Sequence, residues 1–296
     1  QKLLSEYQML NKRLGQISEG KEAWLKHSQR YHDGRIHGSV ITNACVSGRC
    51  SHRNPNMAQI PRVGQPYGAE CRGLFYAPHG WRQVGCDASG LELRGLGAQL
   101  AYFDGGEYAK LVSTEGFDIH THNAKLFGIY DGQGEIAKRI REQAKTLIYA
   151  VLYGAGAQKL GTILDPSLGQ YDQQDLGRET IETFYKNLPA IKKLKDKVDE
   201  RVLDRGYLIG IDGRHLQIRS RHSALNQLLQ STGSLCVKKA TCILYEDLKE
   251  NKLRWGIHYA FVAHIHDEIQ ALVKPQHVSL YKNCLLYTSP SPRDNR

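Results

Sequence analysis

Long apolar runs are missing from this sequence: nowhere do the roughly 20 consecutive apolar residues occur that a bilayer-spanning helix needs, so no membrane partner is expected. Paired Cys-x-x-Cys motifs are missing too. The seven cysteines, at positions 45, 50, 71, 86, 236, 242 and 284, are odd in number and irregular in spacing, which speaks against a disulfide framework or a zinc finger and fits a reducing, intracellular setting. Cys45, Cys50 and His52 could give three metal ligands, but no fourth stands nearby at a helpful spacing. A signal peptide is absent, and the chain has no initiator Met; it reads as a fragment of something longer. Acidic residues are in deficit, 30 against 40 Lys and Arg, leaving a formal charge of +10. With 41% apolar residues the chain is globular, and a folded body with that cationic excess points to a polyanionic partner, nucleic acid or nucleotide first.

The apolar pattern of residues 3–28 is helical and broken at Gly20, which predicts a two-helix hairpin. From His32 to Trp81 the chain is rich in Gly, Pro, Asn and Arg, and irregular structure is expected there, with short strands at Gly38–Ile41 and Leu74–Tyr76. A strand at Gln83–Cys86 should run into Asp87 and a helix from about Leu91 to Tyr102, stopped by Asp104-Gly105-Gly106. Residues 118–203 read as mostly helical. Two β-like pieces at 207–211 and 215–218, a helix from about Ser223 to Leu248, and strands at 260–265 and 269–273 around His266-Asp267-Glu268 complete the reading. The last stretch, CLLYTSPSPRDNR from Cys284 to Arg296, is expected to be a disordered or foreign tail.

Three constellations carry chemistry. In Asp87-Ala88-Ser89-Gly90-Leu91-Glu92, a carboxylate ends a strand, a position suited to metal binding; the plain alternative is that Asp87 caps the following helix. Arg141, Lys145, Tyr149 and Tyr153 recur every four residues, so they form one slowly drifting stripe opposite Ile140, Leu147, Ile148 and Val151. Two cations followed by two aromatics can hold a triphosphate and a base; the alternative is a solvated face. Gly154 either ends that helix or admits another backbone. His266, Asp267 and Glu268 at a hairpin tip are costly turn formers unless the acids act. His264 and His266 also raise a zinc hydrolase reading, whose further ligands are not found.

Taken in order, D-x-S-x-x-E-L-R, R-x-x-x-K-x-x-x-x-x-x-x-Y-G and H-D-E resemble the three polymerase motifs of the family A DNA polymerases. The blocks GRIHGSV, NPNMAQIP, FDGGEYAK, DIHTHN, AKTLIYAVLYGAG, LLQSTG and HDEIQ are similar to the replicative polymerases of podophages, and the resemblance runs from about residue 3 to 273.

That resemblance implies an α+β right-hand fold with an antiparallel palm sheet and helical fingers. It places the base of the thumb at 1–30, palm at 31–100, fingers at 101–225 and palm again at 226–283, with the tail at 284–296. The exonuclease domain, most of the thumb and the end of the palm would be missing, and with the thumb any processivity-factor site. The implied activity is template-directed DNA synthesis on primer–template DNA with dNTPs, in the cytoplasm of an infected bacterial host; the alternative is a nucleic-acid-binding fragment impaired in catalysis. Asp87, Asp267 and Glu268 would be the catalytic carboxylates, with Asp87, Asp267 and the Ala88 carbonyl holding two Mg²⁺. Glu92 would fill the space beside the sugar 2′ position, and His120, Arg141, Lys145 and Tyr149 would bind the nucleotide. Arg49, Gln59, Tyr153, Gly154, Asn226, Gln230 and His266 would contact DNA.

Overall fold

The structure, a computed structural model, describes residues 2–130 and 134–287. The chain divides into two compact units, Gln1–Asp87 with Val237–Arg296, and Ala88–Cys236.

In the first unit, α1 (Lys2–Leu14) passes into a π-helical turn (Gly15–Glu19), and the chain reverses at Gly20 into α2 (Trp24–Arg30). An antiparallel pair follows, β1 (Ser39–Ile41) with β2 (Ser51–Arg53), Val40 opposite His52. Next comes the short α3 (Gly68–Gly73). Leu74–Tyr76, expected as a strand, is none: Leu74 is helical at φ −70°, ψ −18°. Phe75 meets the buried Trp24 edge-on at 5.2 Å, so the apolar triplet reflects a tertiary contact and not strand pairing. The unit's first passage ends with β3 (Arg82–Asp87).

The second unit is mainly helical: α4 (Leu91–Asp104), α5 (Glu107–Ser113), α6 (Ile119–Leu126), α7 (Glu135–Leu152), α8 (Ala157–Leu164), α9 (Gln170–Asn187) and α10 (Pro189–Arg205). A small hairpin, β4 (Tyr207–Ile209) with β5 (His215–Gln217), leads to α11 (Ala224–Glu250), whose first half belongs here. Asp104 explains the stop of α4, since its carboxylate accepts from the N–H groups of Gly106 (2.8 Å) and Tyr108 (3.1 Å) while Gly105 takes φ 68°. The core gathers Leu93, Leu96 and Leu100 of α4 with Leu147, Ile148 and Leu152 of α7, Leu160 and Phe184. Each such buried aliphatic side chain contributes about 2 kcal/mol. It is this burial that fixes the rotation of α7 and turns Arg141 and Lys145 away from the core, while Tyr149 of the same stripe packs against its edge.

The chain returns to the first unit through β6 (Tyr259–Ile265), β7 (Glu268–Val273) and α12 (Val278–Tyr287). The sheet order is β3-β7-β6, antiparallel throughout, with an irregularity between Phe261 and Ala263. Its core face presents Val84, Tyr259, Ala271 and Val273 to Leu244 and Leu248 of α11 and to Tyr281 and Cys284 of α12. The tail expected from Cys284 is therefore corrected: Cys284 is buried, one helical turn beyond Tyr281, and the helix runs to Tyr287. Residues 288–296 of that expected tail lie outside the described residues. Helices and antiparallel sheets in these proportions make an α+β fold. Among the described residues, no helix is long and apolar enough to cross a membrane.

Candidate active site

The first unit holds the acids. β3 pairs with β7 so that Asp87 is directly opposite Glu268, and the turn between β6 and β7 is His266-Asp267, with His266 at φ 58°. The expected three-residue tip is thus corrected to two, because Glu268 already belongs to the ladder of β7. Period-two alternation puts Gln83, Gly85, Asp87, Glu268 and Gln270 on one face of the sheet. Gln83 Nε2 donates to Gln270 Oε1 at 3.1 Å, and Gln270 Nε2 donates to a carboxylate oxygen of Glu268. The Gln270 amide lies across Gly85, where a Cβ would come within 2.5 Å of it, so any larger residue at 85 would have to displace that amide.

The Asp87 carboxyl is pushed above its ordinary range, first by burial and then by the charges of Asp267 and Glu268, with Arg62 opposing. Burial and neighbouring acids together outweigh the one cation that opposes them. The bland reading of Asp87 as a helix cap does not hold: α4 is capped at Gly90, at φ 61°, with no side-chain bond. Among the described residues, no group of three or more His, Cys, Asp and Glu converges as a metal cage. Two carboxylates and a backbone carbonyl do suit a hard cation that keeps waters and takes substrate phosphate oxygens, as Mg²⁺ does.

The second unit holds the cations. Arg141 lies on α7, and its Nε donates to Asp118 Oδ2 at 2.8 Å while Nη1 donates to Glu142 at 2.8 Å. Asp118 caps α6, accepting from the His120 N–H at 3.1 Å and the Thr121 hydroxyl at 2.6 Å. Burial would raise the Asp118 carboxyl, but Arg141, Thr121 and the His120 amide outweigh it and hold it down to about 2. Half-buried His120 is kept neutral by burial and then by the charges of Arg141 and Lys145, which places all three together; its Nδ1 has no partner in the protein. Further along the stripe, the Tyr149 and Tyr153 rings lie 6.2 Å apart, and the Tyr153 hydroxyl donates to Glu92 Oε2 at 2.9 Å. Gly154, at φ 75°, both ends α7 and admits another backbone: a Cβ there would overlap the His222 carbonyl.

The remaining residues named from the sequence are spread along both units. Arg49 lies two residues before β2 and is half-buried, whereas Gln59 is exposed on a 3-10 turn capped by Asn56 and offers its carbonyl to Gln16. Asn226 and Gln230 stand one turn apart on α11, with Asn226 Oδ1 buried and lacking a protein partner. Sequence reasoning missed Arg62, Asp118 and Gln270. Asp118 could have been found, since Asp-x-x-Thr ahead of a helix is a capping signal; Arg62 had no local signature.

Compared with known proteins, residues 1–287 match the family described as DNA polymerase family A. The DNA-directed DNA polymerases of Enterobacteria phage T3 and Escherichia phage T7 are each 39% identical over 94% of this chain. The thermostable DNA polymerase I of Thermus aquaticus is 30% identical over 80% of it and 28% of its own length. This chain spans only 40% of the length of the two phage relatives. A solved polymerase domain of Pol1 from M. smegmatis, in complex with DNA primer-template and dNTP, superimposes with a TM-score of 0.74, at 21% identity over 90% of this chain and 46% of that one. That likeness establishes a right-hand polymerase fold.

Proposed function

From a chain that belongs to DNA polymerase family A, we propose the catalytic core of template-directed DNA synthesis, adding deoxynucleotides to a primer 3′-OH with release of pyrophosphate. The observation that carries this reading is the placement of Asp87 opposite Glu268 at the end of the β3-β7 pair, beside the Asp267 turn, where burial and then the charges of Asp267 and Glu268 disfavour the Asp87 carboxylate. Like charges held together by a sheet ladder cost stability unless a cation joins them, so their placement answers to ligand binding and not to folding. Asp87 and Asp267, with the Ala88 carbonyl, would hold two Mg²⁺. When bound, those ions supply the Lewis acidity of in-line phosphoryl transfer. Glu268, tied to Gln270, stays beside them as a further negative charge.

The residues of the second unit do what phosphoryl transfer otherwise requires, namely positioning and charge neutralisation. Arg141 and Lys145 bind the triphosphate. His120, neutral at physiological pH, donates or accepts one hydrogen bond without adding charge. Asp118 keeps Arg141 aimed, and Tyr149 stacks on base and sugar. Glu92, held by Tyr153, occupies the space a ribose 2′-OH would need. Arg49, Gln59, Asn226, Gln230 and His266 contact the primer–template duplex in the minor groove, where every pair offers an acceptor and geometry is tested without reading sequence; Tyr153 and Gly154 border the templating base. In the terms of the right hand, residues 1–30 are the thumb base, 31–100 and 226–283 the palm and 101–225 the fingers, and synthesis takes place in the cytoplasm of an infected bacterial cell. A processivity factor would engage a thumb segment.

Primer extension tests the reading, using a chimaera in which the flanking segments of the phage relatives complete this chain. Asp87→Ala and Asp267→Ala should each lower extension by about 10³-fold or more. Undiminished extension by either variant overturns the metal assignment.

A further inference from the structure

The loop at 42–50, between β1 and β2, is anchored from a distance. Lys238, in the half of α11 that belongs to the first unit, donates its ammonium to two carbonyls of that loop, Thr42 O and Gly48 O, the latter at 2.5 Å. These partners are 196 and 190 residues away in sequence. The loop is closed from within as well: the Gly48 N–H donates to Cys45 O at 2.8 Å with Gly48 at φ 74°, and the buried Cys50 thiol reaches Thr42 O at 3.9 Å. Arg49 therefore sits between one carbonyl clamped by Lys238 and one buried side chain, with its backbone fixed on both sides.

An ammonium is a compact charge with three donors and suits two converging carbonyls, and hydrogen bonds from a cation are stronger than neutral ones. Among the described residues, no ion pair joins Lys238 to a carboxylate. Its role is not that of a surface ion pair. Its charge also reaches His264 of β6 and, with His52 of β2, discourages protonation of that ring after burial has done most of the work. The ammonium is half-buried at the Gly48 carbonyl and lies within electrostatic reach of His264.

We infer that Lys238 is a positioning residue that locks the 42–50 loop and so presents Arg49 to the primer–template duplex. The inference rests on the reading of Arg49 as a duplex contact, and two measurements separate the two.

Hydrogen exchange in the 296-residue chain reports the loop without DNA. Lys238→Met should speed exchange in 42–50 by about tenfold while leaving β3, β6 and β7 protected. Lys238→Arg, whose fork can still reach both carbonyls, should restore most of that protection. Unchanged exchange in Lys238→Met overturns the inference. So does loosening of the whole unit by Lys238→Met if Lys238→Arg leaves it loose, since a general packing role would then suffice. Fluorescence anisotropy with a labelled primer–template duplex reports the consequence. Lys238→Met and Arg49→Ala should each weaken binding by about fivefold, and the double variant should bind no worse than about twofold below Arg49→Ala, because the two act through one contact. Fully additive losses would make Lys238 an independent phosphate contact and overturn its positioning role. Should Arg49→Ala leave affinity unchanged while exchange in 42–50 still rises in Lys238→Met, the assignment of Arg49 fails, and the presentation role with it.

Discussion

The sheet unit and the helical unit handle charge in opposite ways. On the sheet, burial first and then the charges of Asp267 and Glu268 disfavour ionisation of Asp87, with Arg62 opposing them. On the helices, the cation Arg141 already has its acid, Asp118, which is itself fixed as the cap of α6. One arrangement is electrostatically unfinished and calls for an external cation. The other is internally satisfied, so its cation is aimed before any ligand arrives. On the function proposed above, acids meant for metal ions are left in tension, while donors meant for a polyphosphate are placed in advance at little cost.

The contrast can be broken most visibly at Arg141. In the completed chimaera, Arg141→Ala should raise the KM for dNTP by about 10²-fold, and Asp118→Asn, which leaves the guanidinium but frees it, by about tenfold. Steady-state kinetics that show equal losses for both, or a loss confined to kcat, would contradict an aiming role for Asp118.

A middle-sized effect is expected in the titration of Asp118 itself. Its folded-state value of about 2 lies below the ordinary 3.8, so its contribution to stability is complete above the unfolded value and is lost as pH falls through about 2. Carboxyl-carbon NMR should show Asp118 still ionised at pH 3, and Arg141→Ala should move its midpoint back towards the ordinary carboxylate range. An unmoved midpoint would assign the depression to the cap alone.

The smallest effect concerns Asp87. A carboxyl raised in the folded state costs stability as pH rises from the unfolded to the folded value, so Asp87→Asn should melt slightly higher than the parent at pH 7. The difference should vanish once the pH falls below the carboxylate range, and adding Mg²⁺ should stabilise the parent more than the variant. A variant that melts lower at pH 7 would show that the acids are not in tension.

Much of this was legible in advance, for identifiable reasons. The α7 stripe could be read because helical period and burial act together: Ile140, Leu147 and Ile148 must turn inward, so Arg141 and Lys145 cannot. Gly154 could be read because a left-handed, backbone-crowded position admits little else. Leu74–Tyr76 misled because an apolar triplet does not say whether its partner is a strand or the Trp24 ring. Cys284–Tyr287 misled because one helical turn beyond Tyr281 is too short a pattern to stand out beside Ser-Pro-Ser-Pro.

The sequence by itself determined α4, the helical stretch of 118–203 and α11, the strands flanking His266-Asp267, the cationic excess and the order of the motifs, since all of these follow from local periodicity and residue chemistry. Only the tertiary structure decided that Asp87 faces Glu268, that Gln270 crosses Gly85, that Asp118 aims Arg141 and that Lys238 clamps the Arg49 loop. Register and long-range hydrogen bonds join residues from about 20 to nearly 200 positions apart, and no local propensity carries that information.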